Sequence, residues 1–468
     1  MSAHEIEKAS TTPGLPLTAG LGPLIEKAEM ERHPRALDGR SLLICLYCMA
    51  IAAVVAVIAR LLVLLIGLIT NLAFYGRLAT DLASPAGNTL GLWVIAIPVA
   101  GSLVIGVMAR YGAKAIRGHG IPEAMEQVLT NDSRIPLRMT FLKPLSAAIS
   151  IGTGGPFGAE GPIIATGGAL GSVFGQKVPI SADERKVLLA AGAAAGMTAI
   201  FATPFAAVML AIELLVFEFR PRSFVPLMLA AITAYLVRPW LFGGEAVFHV
   251  PQFLPATPAE LLSYAVEGLL MGLISIVIVK SVYVIEDLFE KLPLHWMWWP
   301  AIGGLAVGII GYFAPATMGV GYDNIDRILS GNFVGVTIAA FCVLKFASWS
   351  LALGSGTSGG TLAPLLTIGG ALGVLIGEGL SSLRMVLDLR MAALVGMAAC
   401  FAGSSRALFA SIVFALEVSQ QFNALMPLLA ACATAFLVSA ATMRTTIMTE
   451  KLARRGTHVP SDYVAHRP

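Results

Sequence analysis

The chain contains two copies of one glycine-rich segment, separated by 202 positions. Gly152–Gly175 reads GTGGPFGAEGPIIATGGALGSVFG and Gly354–Gly377 reads GSGTSGGTLAPLLTIGGALGVLIG, so that 10 of 24 residues are identical. A second pair, Phe205–Glu213 and Phe409–Glu417, matches at an offset of 204. Two matches at nearly the same offset indicate an internal duplication, which restricts the fold to two related halves packed against each other.

Composition places these halves in a membrane. Hydrophobic residues make up 57% of the chain and charged residues 13%, about half the charged fraction of a soluble domain. Uncharged runs approach or exceed the length that a helix needs to span a bilayer, and they cover Ser41–Ala59, Gly91–Ala109, Val187–Ile212, Leu292–Tyr322, Phe346–Gly377 and Phe422–Met443. Backbone polar groups must be satisfied inside lipid. We therefore predict an all-α polytopic membrane protein with inverted-topology repeats near residues 40–244 and 245–446.

The chain ends are polar. Residues 1–39 have no short apolar core after a basic start, which predicts a cytoplasmic segment and no cleavable signal peptide. Residues 447–468 form a short tail. Basic residues flank the outermost spans, among them Arg40 and Arg454, so we expect both termini to be cytoplasmic in a plasma (inner) membrane. The net charge of +3 includes no basic run, so nucleic acid is not an expected partner.

The apolar pattern predicts long helices joined by shorter ones. The long helices are expected near residues 41–74, 91–112, 185–200, 204–218, 224–240, 258–285, 297–313, 333–351, 391–402, 405–420 and 424–444. Shorter helices are expected to begin near Pro122, Glu160 and Thr361, each after a glycine-rich approach. The longest uncharged runs are expected to contain two shorter or broken helices each. In membrane repeats, interrupted helices at matching positions indicate a ligand site near the midplane. Close helix packing through small residues explains GGALG, but not the proline-ended approaches.

Three segments have the composition of an anion site. They are GHGIP at Gly118–Pro122, GAEGP at Gly158–Pro162 and GTLAP at Gly360–Pro364. A helix that begins inside the membrane leaves its first N–H groups unpaired and partly positive, and glycine lets an ion approach the backbone. Such a site holds an anion without a full positive charge, so that the ion can leave again. We expect the three segments to converge.

Glu160 is the acidic residue in an otherwise uncharged stretch at one of these helix starts. A carboxylate within a membrane is costly and indicates a function. We interpret Glu160 as a gate that occupies the anion pathway when ionised and leaves it when protonated. The alternative is a simple helix cap with an acidic first turn.

These segments, in this order across two repeats, resemble the three signature segments of the CLC chloride channel and transporter family. The resemblance covers residues 40–455 and includes the extended GHGIPEA. It implies chloride as the transported ligand, a homodimer with one pathway in each subunit, and Glu160 as the gating glutamate. It also implies an anion site formed by Gly118, His119, Gly120, Ile121, Pro122, Gly158, Ala159, Gly161, Gly360, Thr361, Leu362 and Met448. The tail after Arg455 is too short to fold alone, so no C-terminal CBS domains are expected.

Three positions depart from the family pattern. His119 replaces a serine whose hydroxyl donates to the ion; either the imidazole donates instead, or it packs away from the ion. Met448 falls where the family has a tyrosine, and a thioether cannot donate. Leu214 occupies the place of an internal proton-carrying glutamate. The leucine favours channel-like or weakly proton-coupled transport, while a chloride/proton antiporter remains the alternative because some relatives exchange without that glutamate.

Other classes of function fit less well. Ser404 and Ser405 have no histidine in their segment to act as a base, so an enzyme is not expected. Cation transport would need carbonyl oxygens or acidic clusters along the pathway. Another anion, such as fluoride or nitrate, stays open, although fluoride-specific relatives carry methionine in the place of His119. The five cysteines lie in apolar stretches, so we expect neither a disulfide nor a metal site, and no cofactor.

Overall fold

The computed structural model describes residues 39–244, 247, 248, 250–333, 335–457 and 459. The chain divides between Leu43 and Ile44 into two units. Of the first unit, residues 39–43 are described, and they are helical. The predicted polar segment at residues 1–39 therefore lies almost wholly outside the described residues.

The described residues form seventeen α-helices, joined by short 3₁₀ turns and by one π-helical turn at Ile212–Val216. In the first half they are α1 (Gly39–Tyr75), α2 (Ala96–Tyr111), α3 (Ile121–Thr130), α4 (Leu137–Gly152), α5 (Glu160–Lys177), α6 (Ala182–Phe201), α7 (Pro204–Ala211) and α8 (Pro221–Phe242). In the second half they are α9 (Pro258–Glu290), α10 (Trp299–Phe313), α11 (Tyr322–Leu329), α12 (Gly335–Gly354), α13 (Leu362–Ser382), α14 (Leu389–Ser405), α15 (Leu408–Ser419), α16 (Leu425–Thr442) and α17 (Glu450–Arg454).

The predicted membrane architecture is confirmed. Among the described residues, eight helices are long and apolar enough to cross a bilayer, and several shorter apolar helices accompany them. Helices α3, α5 and α13 begin within one residue of the predicted starts. The uncharged run Val187–Ile212 contains a break, because Ala202 is left-handed and Pro204 opens a new helix. Three helices were not indicated by the apolar pattern: α4 and α11 within the halves, and α17 in the C-terminal tail.

The duplication is visible in the backbone. Helix α6 ends at the left-handed residue Ala202, and α14 ends at the left-handed Arg406, 204 positions later. The turn after α7 ends at Phe217 and α15 at Gln420, again both left-handed. A positive φ is rare outside glycine, so its recurrence at these four matching positions reflects one folding unit used twice.

A reciprocal pair of glutamates joins the halves. The carboxylate of Glu213 accepts hydrogen bonds from the N–H groups of Phe409 (3.0 Å) and Ala410 (2.9 Å) at the start of α15. The carboxylate of Glu417 accepts from Phe205 (3.0 Å) and Ala206 (2.8 Å) at the start of α7. Each half therefore supplies the N-terminal cap of a helix in the other half, as a two-fold relation between the repeats requires.

Glycines set the spacing of the innermost helices. A Cβ on Gly167 would lie 2.2 Å from the carbonyl oxygen of Gly192, so α5 and α6 touch backbone to backbone. The second half repeats this contact, with a Cβ on Gly369 lying 2.8 Å from the carbonyl oxygen of Gly396 between α13 and α14. The GGALG stretches thus serve close packing. Helices α6 and α14 are almost entirely buried and form the core beneath the site.

Candidate anion-binding site

Main-chain hydrogen bonds bring the predicted glycine-rich segments together. Gly158 and Gly360 exchange bonds, with the N–H of Gly360 donating to the Gly158 oxygen at 3.1 Å and the reverse bond measuring 3.4 Å. Gly118 bridges to the same second-half segment, because its N–H donates to Thr357 (3.3 Å) and its oxygen accepts from Gly359 (3.4 Å). The structure therefore shows the expected convergence of the three segments.

The approach is close enough that side chains are excluded. A Cβ on Gly161 would lie 2.3 Å from the carbonyl oxygen of His119 and 2.9 Å from the Cα of Gly360. A Cβ on Gly120 would lie 2.7 Å from the oxygen of Gly161. Gly118 and Gly120 also have φ of 93° and 94°, which L-residues rarely adopt. Glycine is thus required here by both space and backbone conformation.

All the predicted site residues are buried. Helices α3, α5 and α13 begin at these contacts, so their unpaired first N–H groups collect in one region inside the protein. Together these N–H groups carry a partial positive charge. The buried set comprises Gly118, His119, Gly120, Ile121, Pro122, Gly158, Ala159, Gly161, Gly360, Thr361, Leu362 and Met448. Their role in holding an anion stays a prediction.

Glu160 is fully buried at this point. Its carboxylate folds back over Gly158, where a Cβ would lie 1.7 Å from Oε2. It faces the backbone N–H groups of Glu160 itself and Ala363, at the starts of α5 and α13. Oε2 has no hydrogen-bond partner among the described residues. An ionised carboxylate placed among helix starts resembles a bound anion in both charge and surroundings.

The structure adds a residue that the sequence argument missed. The hydroxyl of Tyr322, the first residue of α11, donates a 2.5 Å hydrogen bond to Oε1 of Glu160. Gly319 and Gly321, which precede it, have positive φ, as do Gly118 and Gly120 201 positions earlier. Tyr322 is therefore the repeat counterpart of Ile121. The repeat of the GxG pattern, GHGI and GVGY, was the signal that could have revealed it.

A buried lysine lies beside each of these paired segments. Nζ of Lys143 donates to the oxygens of Ile116 (2.9 Å) and Gly118 (2.8 Å), and Nζ of Lys345, 202 positions later, donates to Thr317 (2.8 Å). The glycine-rich segments predict a site without a full positive charge. Lys143 instead sets an ammonium group against the first segment, where it fixes the loop and adds positive potential.

Comparison with known proteins identifies the fold and its relatives. Residues 101–440 match the family model described as voltage gated chloride channel. The chain belongs to this family. The putative chloride channel protein ClcB-like of Ralstonia nicotianae is 29% identical over 386 residues, which cover 81% of this chain and 89% of that protein. The H(+)/Cl(-) exchange transporter ClcA of Vibrio campbellii is 30% identical over 365 residues, which cover 74% and 77%.

Solved structures show the same architecture. The crystal structure of a slow cyanobacterial Cl-/H+ antiporter matches with a TM-score of 0.79 at 22% identity, covering 90% of this chain and 98% of that one. A CLC-type fluoride/proton antiporter matches with a TM-score of 0.71 at 22% identity, covering 86% and 96%. These likenesses establish the CLC fold with its broken helices.

His119, the first departure from the family pattern, is 3% exposed. Its ring contacts the backbone of Ile447, and its Nδ1 has no hydrogen-bond partner among the described residues. The charged side chains around it are Glu123, Lys143 and Lys451. A neutral imidazole that donates to the Ile447 backbone leaves Nδ1 as an acceptor, so donation from Nδ1 to an ion requires a protonated ring.

Met448 is fully buried beside Ile447, in a turn that is hydrogen-bonded to α9 and α14. The N–H of Ile447 donates to the oxygen of Ser404 (3.0 Å), and the hydroxyl of Tyr283 donates to the oxygen of Ile447 (2.8 Å). A tyrosine hydroxyl therefore does reach this turn, but it comes from α9 and bonds to the backbone. Helix α17 follows the turn, with Leu452 buried.

Leu214 lies in the turn after α7 and lines a cavity of about 270 Å³. Glu213 also lines it, but its carboxylate caps α15. The charged side chains that complete the lining are Arg406 and Arg444. The position where the family resemblance implies a proton-carrying glutamate thus holds a leucine, and the cavity beside it contains two arginines and one glutamate.

Proposed function

We propose that this CLC-family protein carries chloride across a membrane through a pathway gated by Glu160. The observation that carries the proposal is the position of this carboxylate, buried among the first N–H groups of α5 and α13 and folded against Gly158. An anion needs the same groups, so carboxylate and chloride compete for one place. Chloride is the ligand, and no cofactor takes part. The subunits pair as a homodimer, with one pathway each and both termini cytoplasmic in the plasma (inner) membrane.

One approach to the site has a charge pattern suited to anions. A cavity of about 610 Å³ reaches Gly120 and is lined by six basic and four acidic side chains. The basic ones are Lys114, Arg117, Arg138, Lys143, Lys451 and Arg455, and the acidic ones are Glu123, Glu126, Glu286 and Glu290. An excess of positive charge in a cleft raises the local anion concentration.

Weak or absent proton coupling is the form that we favour. Leu214 cannot relay a proton, and the neighbouring cavity adds Arg406 and Arg444. Chloride/proton exchange is the second candidate, because relatives of this chain include proteins named H(+)/Cl(-) exchange transporters. Transport of fluoride or nitrate would use the same backbone donors.

Chloride efflux from liposomes, with external pH recorded alongside, tests the proposal. We expect Glu160→Gln to conduct chloride at every pH, whereas the wild type responds to pH, because glutamine cannot compete as an anion. Glu267→Gln, in a second fully buried glutamate on α9, is the matched control and should behave as wild type.

Two outcomes would contradict the proposal. If Glu160→Gln keeps the flux and the pH response of the wild type, Glu160 is not the gate. If a chloride gradient drives stoichiometric proton uptake by the wild-type protein, exchange replaces weak coupling. Repeating the efflux in fluoride and in nitrate ranks the anions.

A further inference from the structure

The hydrogen bond between Tyr322 and Glu160 is short and well placed. At 2.5 Å it lies in the range of hydroxyl donation to a carboxylate, which is stronger than a bond between neutral groups. Tyr322 is the titratable side chain that faces Glu160 among the described residues, and the other groups beside the carboxylate are backbone N–H groups. His119 instead faces Glu123, Lys143 and Lys451. The ionised gate thus relies on one side chain for its hydrogen bond.

Tyr322 cannot move freely away from this bond. Its ring packs edge-on against Phe201 (centroids 5.8 Å apart) and Phe248 (6.2 Å), and such pairs are stabilising. Side chains of the second half hold the preceding loop: Lys345 donates to Thr317 and Asn324 donates to Ala316, both at 2.8 Å.

The same loop is tied to the gate's own segment. The N–H of Gly319 donates to the oxygen of Gly154 at 3.1 Å, in the glycine-rich approach to Glu160. This backbone hydrogen bond therefore fixes the position of the Tyr322 loop relative to the segment that carries Glu160. Beyond the tyrosine, a cavity of about 80 Å³ is lined by Tyr322, Asp323 and the residues of the loop. Tyr322 thus stands between the gate and this cavity.

We propose that Tyr322 is a positioning residue of the gate, whose hydroxyl holds the ionised carboxylate of Glu160 in the blocking position until the carboxylate is protonated or displaced. The proposal rests on the gating role of Glu160 proposed above. The loop Gly319–Tyr322 is the counterpart of Gly118–Ile121, so the two halves use one loop differently. The first copy supplies backbone donors to the site. The second supplies the hydrogen bond from the Tyr322 hydroxyl to the Glu160 carboxylate, which we call the latch.

Removing the Tyr322 hydroxyl should make the Glu160 gate open more readily. The bond favours the ionised, blocking form of Glu160, so Tyr322→Phe favours the protonated or displaced form. A hydrogen bond to a charged group corresponds to a factor of about ten or more. We expect chloride flux at pH 7.5 to rise about tenfold and the pH of half-maximal flux to rise by about one unit. Tyr264→Phe is the control, because this tyrosine is also buried and hydrogen-bonded, its hydroxyl accepting from the backbone N–H of Asp388 at 3.1 Å.

A comparison in the Glu160→Gln background separates positioning from structure. If Tyr322 acts through the carboxylate, Tyr322→Phe should add nothing once Glu160 is glutamine. An equal rise in both backgrounds, or an unchanged pH profile in Tyr322→Phe, would overturn the inference. Should Tyr322→Phe fold poorly, 3,5-difluorotyrosine at position 322 supplies the test. It keeps the ring and donates more strongly, so the pH of half-maximal flux should fall, and no fall would refute the latch.

The two proposals fail differently. If Glu160→Gln does not open the pathway, the gate itself is wrong. If Glu160→Gln opens it while Tyr322→Phe matches both the wild type and Tyr264→Phe, the gate stands and the latch does not.

Discussion

Removing the reciprocal caps at Glu213 and Glu417 should destabilise the protein by similar amounts. Each carboxylate accepts two backbone hydrogen bonds of 2.8–3.0 Å at the start of a helix in the other half. Alanine leaves those N–H groups without acceptors. We expect Glu213→Ala and Glu417→Ala each to lower the free energy of unfolding by about 2 kcal/mol, the upper end for the loss of a helix cap.

The expected loss of about 2 kcal/mol depends on how deeply the N–H groups that lose their acceptors are buried. Two bonds to a charged acceptor in the interior would cost about 3–6 kcal/mol if removed together. The outer N–H groups, those of Phe205 and Phe409, lie at exposed positions where water replaces part of the loss. The inner ones, of Ala206 and Ala410, are partly buried and carry most of the cost. The measured cost of losing a helix N-cap therefore describes each variant better than the sum of two buried hydrogen bonds.

Unfolding of detergent-solubilised protein by SDS, followed by tryptophan fluorescence, measures these differences. Glu213→Gln and Glu417→Gln keep one neutral acceptor and should lose about half as much. Because both carboxylates fix the same pair of helices, the double alanine variant should cost at least 0.5 kcal/mol less than the sum. Single variants that differ by more than about 1 kcal/mol, or that leave stability unchanged, would refute the two-fold reading of this contact.

Two further substitutions test the site itself. Gly161→Ala should reduce chloride flux at least tenfold, because its Cβ would lie 2.3 Å from the His119 oxygen. The control Gly379→Ala should transport normally, because there is open space around Gly379. Normal flux in Gly161→Ala would show that the three segments need not meet. Thr361→Val should raise the chloride concentration for half-maximal flux about fivefold, because Thr361 Oγ1 is buried and unpartnered among the described residues, and an unchanged value would remove this hydroxyl from the site.

Much of the fold follows from the sequence because the signals are repeated. Uncharged runs set the spans, and the identical residues at one offset set the halves. The three starts of α3, α5 and α13 were predictable from glycine followed by proline. Glu213 and Glu417 match within the repeat, and the structure gives both the same contact.

What the sequence did not reveal depends on tertiary contacts between distant positions. Tyr322 lies 162 positions from Glu160, and nothing in GVGYD shows which carboxylate its hydroxyl reaches. Lys143 reads as one charge near a membrane boundary, yet folding carries its ammonium group to the oxygen of Gly118. Helix α11 escaped prediction because its eight residues include four polar ones, too short and too polar for a span pattern.

The paired backbone bonds between Gly158 and Gly360 separate the frame of the pathway from its chemistry. Peptide groups hold the frame, which requires glycine at the contact points but no particular side-chain chemistry. Side chains at the rim, such as His119 and Met448, can therefore differ from one relative to another without moving the frame. A lineage built in this way can retune ion preference and gating by single substitutions while the architecture of its pore persists.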